Sequence, residues 1–224
     1  HLDTIQKGVR AYCDEHHRFG FDPKKPAVRL HEPSFGADEI NVMLEQSLST
    51  QVTMGAKVRT FEEEAARFFG AKYAVMNNSG SSANLLAIAA LANPAWNNHL
   101  KPGDEVIVFE PVYDSYVPAI ELQGGVVRRV RLGAPEYRPD WAALRALITP
   151  RTRMIMINTP HNPTGAVWSA ADMIELAAVT RGTGIVVVAD EVYEHIVFDG
   201  ARHESAARVP ELAAPSVIVS SFGK

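Results

Sequence analysis

Polar side chains able to do chemistry follow the ends of several short apolar segments in this sequence. Asn162 stands in the turn TPHNPTG, directly after MIMIN. Asp190 and Tyr193 stand in ADEVYEH, after the apolar run IVVV, and Lys224 ends the segment SSFGK. An amide, a carboxylate, a phenol and an amine can together accept and donate hydrogen bonds, transfer protons and attack a carbonyl group.

A Gly/Ser turn in the segment NSGSSANLLAIAAL precedes a helical pattern and predicts an anion site. Backbone N–H groups at a helix start have no partner within the helix, and the helix dipole favours an anion there. Gly80, Ser81 and Ser82, together with the Ser79 hydroxyl, would form a phosphate cradle. The alternative is that a serine simply caps the helix.

The other signals also have ordinary structural interpretations. The two prolines and Gly165 around Asn162 are compatible with a plain Asn-Pro turn. A carboxylate at the end of an apolar strand, such as Asp190, must either pair with a cation or cap the next turn, because burying it alone is costly. A single lysine such as Lys224 is ordinarily a surface residue.

An alternation of β-branched runs and helical segments from residue 73 onward would position these residues. Runs such as MIMIN and IVVVAD are apolar on both faces, as is typical of a parallel sheet covered by helices. The pattern predicts an α/β fold with a doubly wound, mainly parallel sheet. The predicted strands are Tyr73–Asn77, Glu105–Phe109, Val126–Arg131, Met154–Asn158, Ile185–Asp190 and Val217–Ser220. The predicted helices are Asp38–Leu48, Val58–Phe69, Ser82–Ala92, Ser115–Gln123, Asp140–Leu147 and Ser169–Arg181.

Composition narrows the class of protein. The 224 residues are 46% hydrophobic and 21% charged, and 26 acidic residues against 22 basic ones argue against a nucleic-acid partner. No apolar stretch is long enough to span a bilayer. Cys13 is the only cysteine, which excludes an intrachain disulfide and a cysteine-based metal site. We expect a cytoplasmic protein without a metal, with residues 1–35 as a polar N-terminal arm or a loosely structured lead-in and residues 36–224 as one domain.

The expected positions of these residues in the sheet indicate a cofactor. Ligands of open α/β sheets bind beyond the carboxyl ends of the strands, so the cradle and the polar side chains are expected at one edge. Pyridoxal phosphate needs such a set. Helix-terminal amides bind its phosphate, a buried carboxylate keeps its ring nitrogen protonated, and Asn162 and Tyr193 can donate to its ring oxygen. Its aldehyde needs a lysine amine, here Lys224, which can also shuttle protons.

From about residue 110 the sequence closely resembles fold type I aminotransferases, in the branch of the kynurenine, glutamine and methionine aminotransferases. The matching segments are EPVYDSYVPAI, NTPHNPTGAVW, ADEVYEH and SSFGK, in the family's order and spacing. The resemblance implies the cofactor-binding large domain of such an enzyme, truncated at the Schiff-base lysine and without the C-terminal part and the small domain.

The resemblance also implies an activity: transamination between an amino acid and a 2-oxo acid in two half-reactions, by a cytoplasmic homodimer. Methionine, glutamine and kynurenine are the amino acids it suggests. The implied roles of single residues are ring stacking for Tyr113, ring-oxygen bonding for Asn162 and Tyr193, ring-nitrogen bonding for Asp190, phosphate binding for Ser221, and Schiff-base formation and proton transfer for Lys224.

Residues 1–109 look more like the nucleotide-sugar aminotransferase and 3-dehydratase family, with the change of resemblance near residues 106–110. Gly80, Ser81 and Ser82 fall on that family's phosphate-binding turn. Sugar dehydration or sugar amination, β-elimination from cysteine conjugates and an inactive fragment therefore stay open as alternatives. Lys224 argues against dehydration, because the dehydratases have a histidine at the matching position.

Overall fold

The computed structural model describes residues 1–17, 19–27 and 35–221. Its chain divides into two compact units, His1–Phe61 and Glu62–Lys224. The sequence predicts a boundary between an arm and a large domain at residue 35. Residues 28–34, directly before this boundary, lie outside the described residues. That boundary stays a prediction.

The first unit contains the helices α1 (Leu2–His16) and α2 (Ala37–Leu48). The two helices contact each other, and Gln6 Nε2 donates to Glu45 Oε1 at 2.7 Å. The expectation of a loosely structured lead-in is therefore wrong for residues 2–16. The polar residues of this segment form the exposed face of α1, in which Cys13 is buried. A mostly polar helix has the composition of a loop, so composition alone does not distinguish the two.

The second unit is built on a parallel sheet of strand order β2-β1-β3-β4-β5. The strands are β1 (Glu105–Glu110), β2 (Val126–Arg131), β3 (Thr152–Asn158), β4 (Val186–Asp190) and β5 (Ser216–Val219). The remaining helices are α3 (Ala56–Phe69), which crosses the unit boundary, α4 (Gly80–Leu91), α5 (Tyr116–Leu122), α6 (Trp141–Leu147), α7 (Ala170–Thr180) and α8 (Pro210–Ala213). None of the helices in the described residues is both long and apolar enough to cross a membrane.

Helices cover both faces of this sheet. Because side chains alternate along a strand, each strand contributes to two cores. Ile155 and its neighbours on one face pack against α6, α7 and α8. Met154 and Met156 on the other face pack against α4 and α5. The doubly wound, parallel α/β class predicted from the sequence is confirmed.

Most of the predicted elements are present. Five of the six predicted strands and all six predicted helices occur, and each of their ends lies within two residues of its prediction. The strand predicted at Tyr73–Asn77 is wrong: the segment is extended but belongs to no sheet in the described residues. Tyr73 and Val75 are 75% and 66% exposed, and the Met76 amide donates to the Glu62 carboxylate. A β-branched run becomes a strand only where a neighbouring strand offers backbone partners, and here a side chain takes that place.

The strand order determines where a ligand can bind. After β2 the chain returns to the other side of β1 to form β3, so the connections leave β1 and β3 in opposite directions. A crevice opens at such a point, beyond the carboxyl ends of the strands. Asn158 and Asp190 end β3 and β4, and they are register partners in the parallel ladder. The fold therefore brings the polar ends of these strands to one edge.

The central strand β3 provides a test of this architecture. Ile155 is fully buried, whereas Ile174 on α7 is 63% exposed. We expect Ile155→Ala to lower the free energy of unfolding by about 2–5 kcal/mol, because it removes buried methyl groups and leaves a cavity. The matched Ile174→Ala change should cost less than about 1 kcal/mol. Urea unfolding of both variants checks the difference, and equal losses would contradict the described core.

Candidate active site

A cavity of about 340 Å³ opens at the carboxyl edge of the sheet. This volume lies in the range of small-molecule pockets, which are about 300–1,000 Å³. The lining residues lie at or after the carboxyl ends of β1, β3, β4 and β5 and around the starts of α4 and α5: Asn78, Ser79, Gly80, Ser81, Asn84, Tyr113, Tyr116, Asn158, Asn162, Asp190, Val192, Tyr193 and Ser221.

Asp190 is the carboxylate of this cavity and is only 4% exposed. Its Oδ2 accepts hydrogen bonds from Tyr116 Oη at 2.6 Å and from Asn84 Nδ2 at 2.7 Å. Its Oδ1 accepts from the Val192 amide at 3.2 Å, so Asp190 also caps the turn that follows β4. Among the described residues these donors are neutral, and no cation pairs with the carboxylate. Of the two sequence interpretations, capping is confirmed, and pairing with a cation is not seen among the described residues.

Two asparagines fix the turn after β3. Asn158 Nδ2 donates to the Asp190 carbonyl at 2.8 Å, and its Oδ1 accepts from the Asn162 amide at 2.6 Å. This ties the turn TPHNPTG to the end of β4. The Asn162 side chain is held at the cavity, where its Nδ2 lies 3.2 Å from the Tyr193 hydroxyl. Gly165 supports the turn with a φ of 74°, a left-handed conformation that glycine adopts readily.

The start of α4 also lines the cavity. Ser79 caps the helix, and its Oγ accepts from the Ser82 amide at 3.1 Å. The amides of Gly80 and Ser81 have no acceptor among the described residues, as expected in the first turn of a helix. Ser81 Oγ lies 3.4 Å from the Tyr113 hydroxyl across the cavity. The helix therefore presents two N–H groups and a hydroxyl to the cavity, and the predicted serine cap is also present.

The carboxylate next to Asp190 belongs to a different environment. Glu191 is fully buried, and its carboxylate accepts from the Ala206 amide and bonds His203 Nε2, both at 2.9 Å. Both of its oxygens therefore have partners, and it does not line the cavity. Of the three acidic residues in ADEVYEH, which are Asp190, Glu191 and Glu194, only Asp190 lines the cavity.

His161 supports the turn from behind. It is 5% exposed, and its Nδ1 lies 2.7 Å from Thr164 Oγ1. Burial lowers the pKa of this imidazole below its ordinary value, and a hydrogen bond with the Pro111 backbone opposes the shift. The neutral form is therefore favoured, and His161 joins the loop after β1 to the turn that presents Asn162.

The structure brings together most of the residues predicted from the sequence. The seven at the cavity are Gly80, Ser81, Tyr113, Asn162, Asp190, Tyr193 and Ser221. Ser82 does not line it, because its amide and hydroxyl are bonded to Ser79 and it faces a neighbouring depression. The phosphate-binding role of Gly80, Ser81 and Ser82 stays a prediction. Lys224 lies outside the described residues, and its role stays a prediction.

Five residues at the cavity were not predicted from the sequence: Asn78, Asn84, Tyr116, Asn158 and Val192. Asn84 had a signal that could have identified it, since it shares the buried stripe of the apolar helix α4 with Ala87 and Ile88. A polar residue in such a stripe needs a buried partner. Tyr116 had no comparable signal, because its partner Asp190 is 74 residues away in the chain.

Comparisons with known proteins identify the family. The family model of aminotransferase class I and II matches residues 56–224, three quarters of the chain. The chain belongs to this family. Over 125 residues it is 50% identical to a methionine aminotransferase of Escherichia coli, a match that covers 56% of this chain and 32% of the relative. The crystal structure of an E. coli methionine aminotransferase superposes with a TM-score of 0.71 and 32% identity, covering all of this chain and 58% of that one.

A second solved structure, the N-succinyldiaminopimelate aminotransferase of Mycobacterium tuberculosis, has a TM-score of 0.72 and 28% identity over 98% of this chain and 57% of its own. The fold is therefore that of fold type I aminotransferases, and the chain spans little more than half the length of these structures. The family match runs across residues 106–110 without a break. These comparisons give no support to a nucleotide-sugar enzyme.

The buried His161 of this aminotransferase-family chain makes its stability depend on pH. A histidine whose folded pKa is lowered binds its proton more readily in the unfolded state. Stability is therefore lost as the pH falls below about 6.5, with a slope of at most about 1.4 kcal/mol per pH unit for one proton. We expect His161→Gln to reduce this loss between pH 7.5 and 5.5, measured by urea unfolding. His16→Gln, an exposed control, should not, and an unchanged slope in His161→Gln would contradict the assignment.

Proposed function

We propose that the protein is an amino-acid:2-oxo-acid aminotransferase that uses pyridoxal 5'-phosphate. The family acts on amino acids and keto acids, which supports the reaction class. One observation supports the cofactor most directly. Asp190, a buried carboxylate that pairs with no cation among the described residues, lines the same cavity as two helix-start amides that have no acceptor among those residues. A ligand with a cationic end and an anionic end fits this arrangement.

The two kinds of polar group in the cavity match the phosphate and the ring nitrogen of pyridoxal phosphate. The amides of Gly80 and Ser81 and the Ser81 hydroxyl would bind the phosphate, because helix starts bind anions through unsatisfied N–H groups and the dipole. Ser221, which lines the same cavity, would add a hydroxyl. Asp190 would accept the N–H of the protonated ring nitrogen, and its negative charge favours that protonated form.

The remaining residues of the cavity would orient the ring. Asn162 Nδ2 and Tyr193 Oη lie together and can both donate to the ring oxygen. Tyr113 would stack on the ring face, and its hydroxyl near Ser81 Oγ holds its orientation. When bound, pyridoxal phosphate supplies an electron sink that weakens the bond between the amino-acid α-carbon and its hydrogen. The amine of Lys224 would take that proton and return it.

The proposal extends to the whole protein. The curated relatives act on methionine, N-succinyldiaminopimelate or kynurenine by their names, so an amino acid of this range is the proposed substrate class. We also propose a homodimer in the cytoplasm, as the resemblance to the aminotransferases implies. Because the chain spans only part of each relative, these statements concern the protein to which it belongs.

The role of Lys224 has a direct chemical test. A lysine bound to an aldehyde forms a carbon–nitrogen double bond that borohydride reduces to a stable amine. We expect reduction of the protein with bound pyridoxal phosphate, followed by peptide mapping, to place the label on Lys224. A label on Lys57, Lys72 or Lys101 instead would overturn the assignment.

The reaction class is tested in a single half-reaction. Mixed with methionine, glutamine or kynurenine in a stopped-flow instrument, the cofactor-loaded protein should convert pyridoxal phosphate to its amine form, with the loss of the aldehyde absorbance. A 4-keto-6-deoxy nucleotide sugar serves as the comparison substrate and should cause no change. Turnover of the sugar without a response to any amino acid would refute the proposal.

A further inference from the structure

Two helices, α4 and α5, each contribute one side chain that bonds the same oxygen of Asp190. Tyr116 Oη lies 2.6 Å and Asn84 Nδ2 lies 2.7 Å from Asp190 Oδ2. Tyr116 and Asn84 are each 3% exposed, so both bonds are shielded from water. A carboxylate can only accept, which fixes the Asn84 amide with its NH₂ group toward Asp190.

Neither donor changes its charge over the range in which a protein stays folded. An amide does not titrate, and burial together with the nearby Asp190 carboxylate raises the pKa of Tyr116 far above its ordinary value. Tyr116 is therefore an O–H donor at every such pH. A lysine or arginine at the same place would neutralise the carboxylate, whereas these donors satisfy it and leave its negative charge intact.

The arrangement also selects one oxygen for a ligand. An ionised carboxylate offers about four acceptor positions, two on each oxygen. The two side-chain donors fill those of Oδ2, and the Val192 amide takes one on Oδ1 at 3.2 Å. With the donors of the described residues counted, one position on Oδ1 remains, in a residue that lines the cavity.

We propose that Tyr116, assisted by Asn84, is a positioning residue that fixes the Asp190 carboxylate as an anion with one open acceptor position, on Oδ1, for the N–H of a protonated ring nitrogen. The inference rests on the proposed function, since it names how that site prepares its carboxylate. Tyr116 acts through Asp190, and no contact of its own with the substrate is required.

Removal of one hydroxyl tests this role. Tyr116→Phe keeps the ring, which packs with Tyr113 at a centroid distance of 5.4 Å, and deletes only the donor. Because hydrogen bonds to charged groups are the strong ones, the half-reaction rate constant should fall between about 10-fold and 100-fold. The KM for the amino acid should change less than about twofold, since the proposed role of Tyr116 acts through Asp190 and needs no contact with the amino acid. Tyr137→Phe, at a partly buried tyrosine outside the cavity, is the matched control.

A double-mutant cycle separates positioning from general structural damage. The dissociation constant of pyridoxal phosphate is measured for the unaltered protein, Tyr116→Phe, Asp190→Asn and the double variant. Tyr116→Phe should weaken binding about tenfold in the unaltered background and less than about twofold when Asp190 is already Asn. Asn84→Ala should behave in the same way. A purely structural role of Tyr116 would give the same loss in both backgrounds.

Two further measurements do not depend on turnover. The ¹⁵N resonance of labelled pyridoxal phosphate should lie at the protonated position in the unaltered protein and move toward the neutral one in Tyr116→Phe. In the second measurement, the free energy of unfolding of the same four proteins is determined in urea without cofactor. The coupling energy of this cycle reports the hydrogen bond between Tyr116 and Asp190. Coupling in both experiments supports the inference.

The other outcomes are distinct. Coupling in unfolding with unchanged cofactor binding and ¹⁵N resonance would make Tyr116 a structural partner only and overturn the inference, while the proposed function stands. If Tyr116→Phe gave the same results as Tyr137→Phe in every measurement, the inference would also be overturned and the proposed function would stand. Failure of the unaltered protein to bind pyridoxal phosphate would overturn the proposed function and this inference together.

Discussion

The burial of one carboxylate, Asp190, which pairs with no cation in the described part of the chain, is the constraint on which the arrangement of this site depends. An uncompensated charge in the protein interior is costly, and it is tolerated only where hydrogen-bond donors replace the lost water. For Asp190 these donors come from α4, from α5 and from the turn after β4. Three separate parts of the chain must therefore meet at one point before the end of β4 can be buried.

The sheet topology makes this meeting possible. A parallel order with a reversal between β1 and β3 places the ends of the strands beside the first turns of helices, where backbone N–H groups are also unsatisfied. The same edge thus holds an anion and the means to bind an anion. Asn158 joins the two central strand ends by bonding the Asp190 carbonyl and the Asn162 amide. A ligand with a cationic group and an anionic group would pair with the Asp190 carboxylate and with the N–H groups at the start of α4.

Neighbouring residues of one motif serve different purposes here. Within ADEVYEH, Asp190 faces the cavity, whereas Glu191 bonds His203 and the Ala206 amide away from it. Strand alternation sends the two carboxylates to opposite faces of the sheet. Within SGSS, Ser79 caps α4 by accepting a hydrogen bond from the Ser82 amide. Among the described residues, the amides of Gly80 and Ser81 have no acceptor and can bind a ligand. In both motifs the residue type alone suggests a contact with the ligand, whereas Glu191 and the Ser82 amide are already hydrogen-bonded to other groups of the protein.

The sequence by itself determined the α/β class, five strands and six helices, because these follow from local periodicity and turn residues. Of the seven predicted residues that line the cavity, Tyr113 and Ser221 came from the resemblance to aminotransferases, and the others from the polar segments that follow the strands. The tertiary structure alone decided the rest. Tyr73–Asn77 has strand-forming residues but no strand beside it, and residues 2–16 form a helix although their composition suggested a loop. The bond from Tyr116 to Asp190 joins residues 74 positions apart. Pairing and the satisfaction of buried polar groups depend on which segments become neighbours, and local sequence does not contain that information.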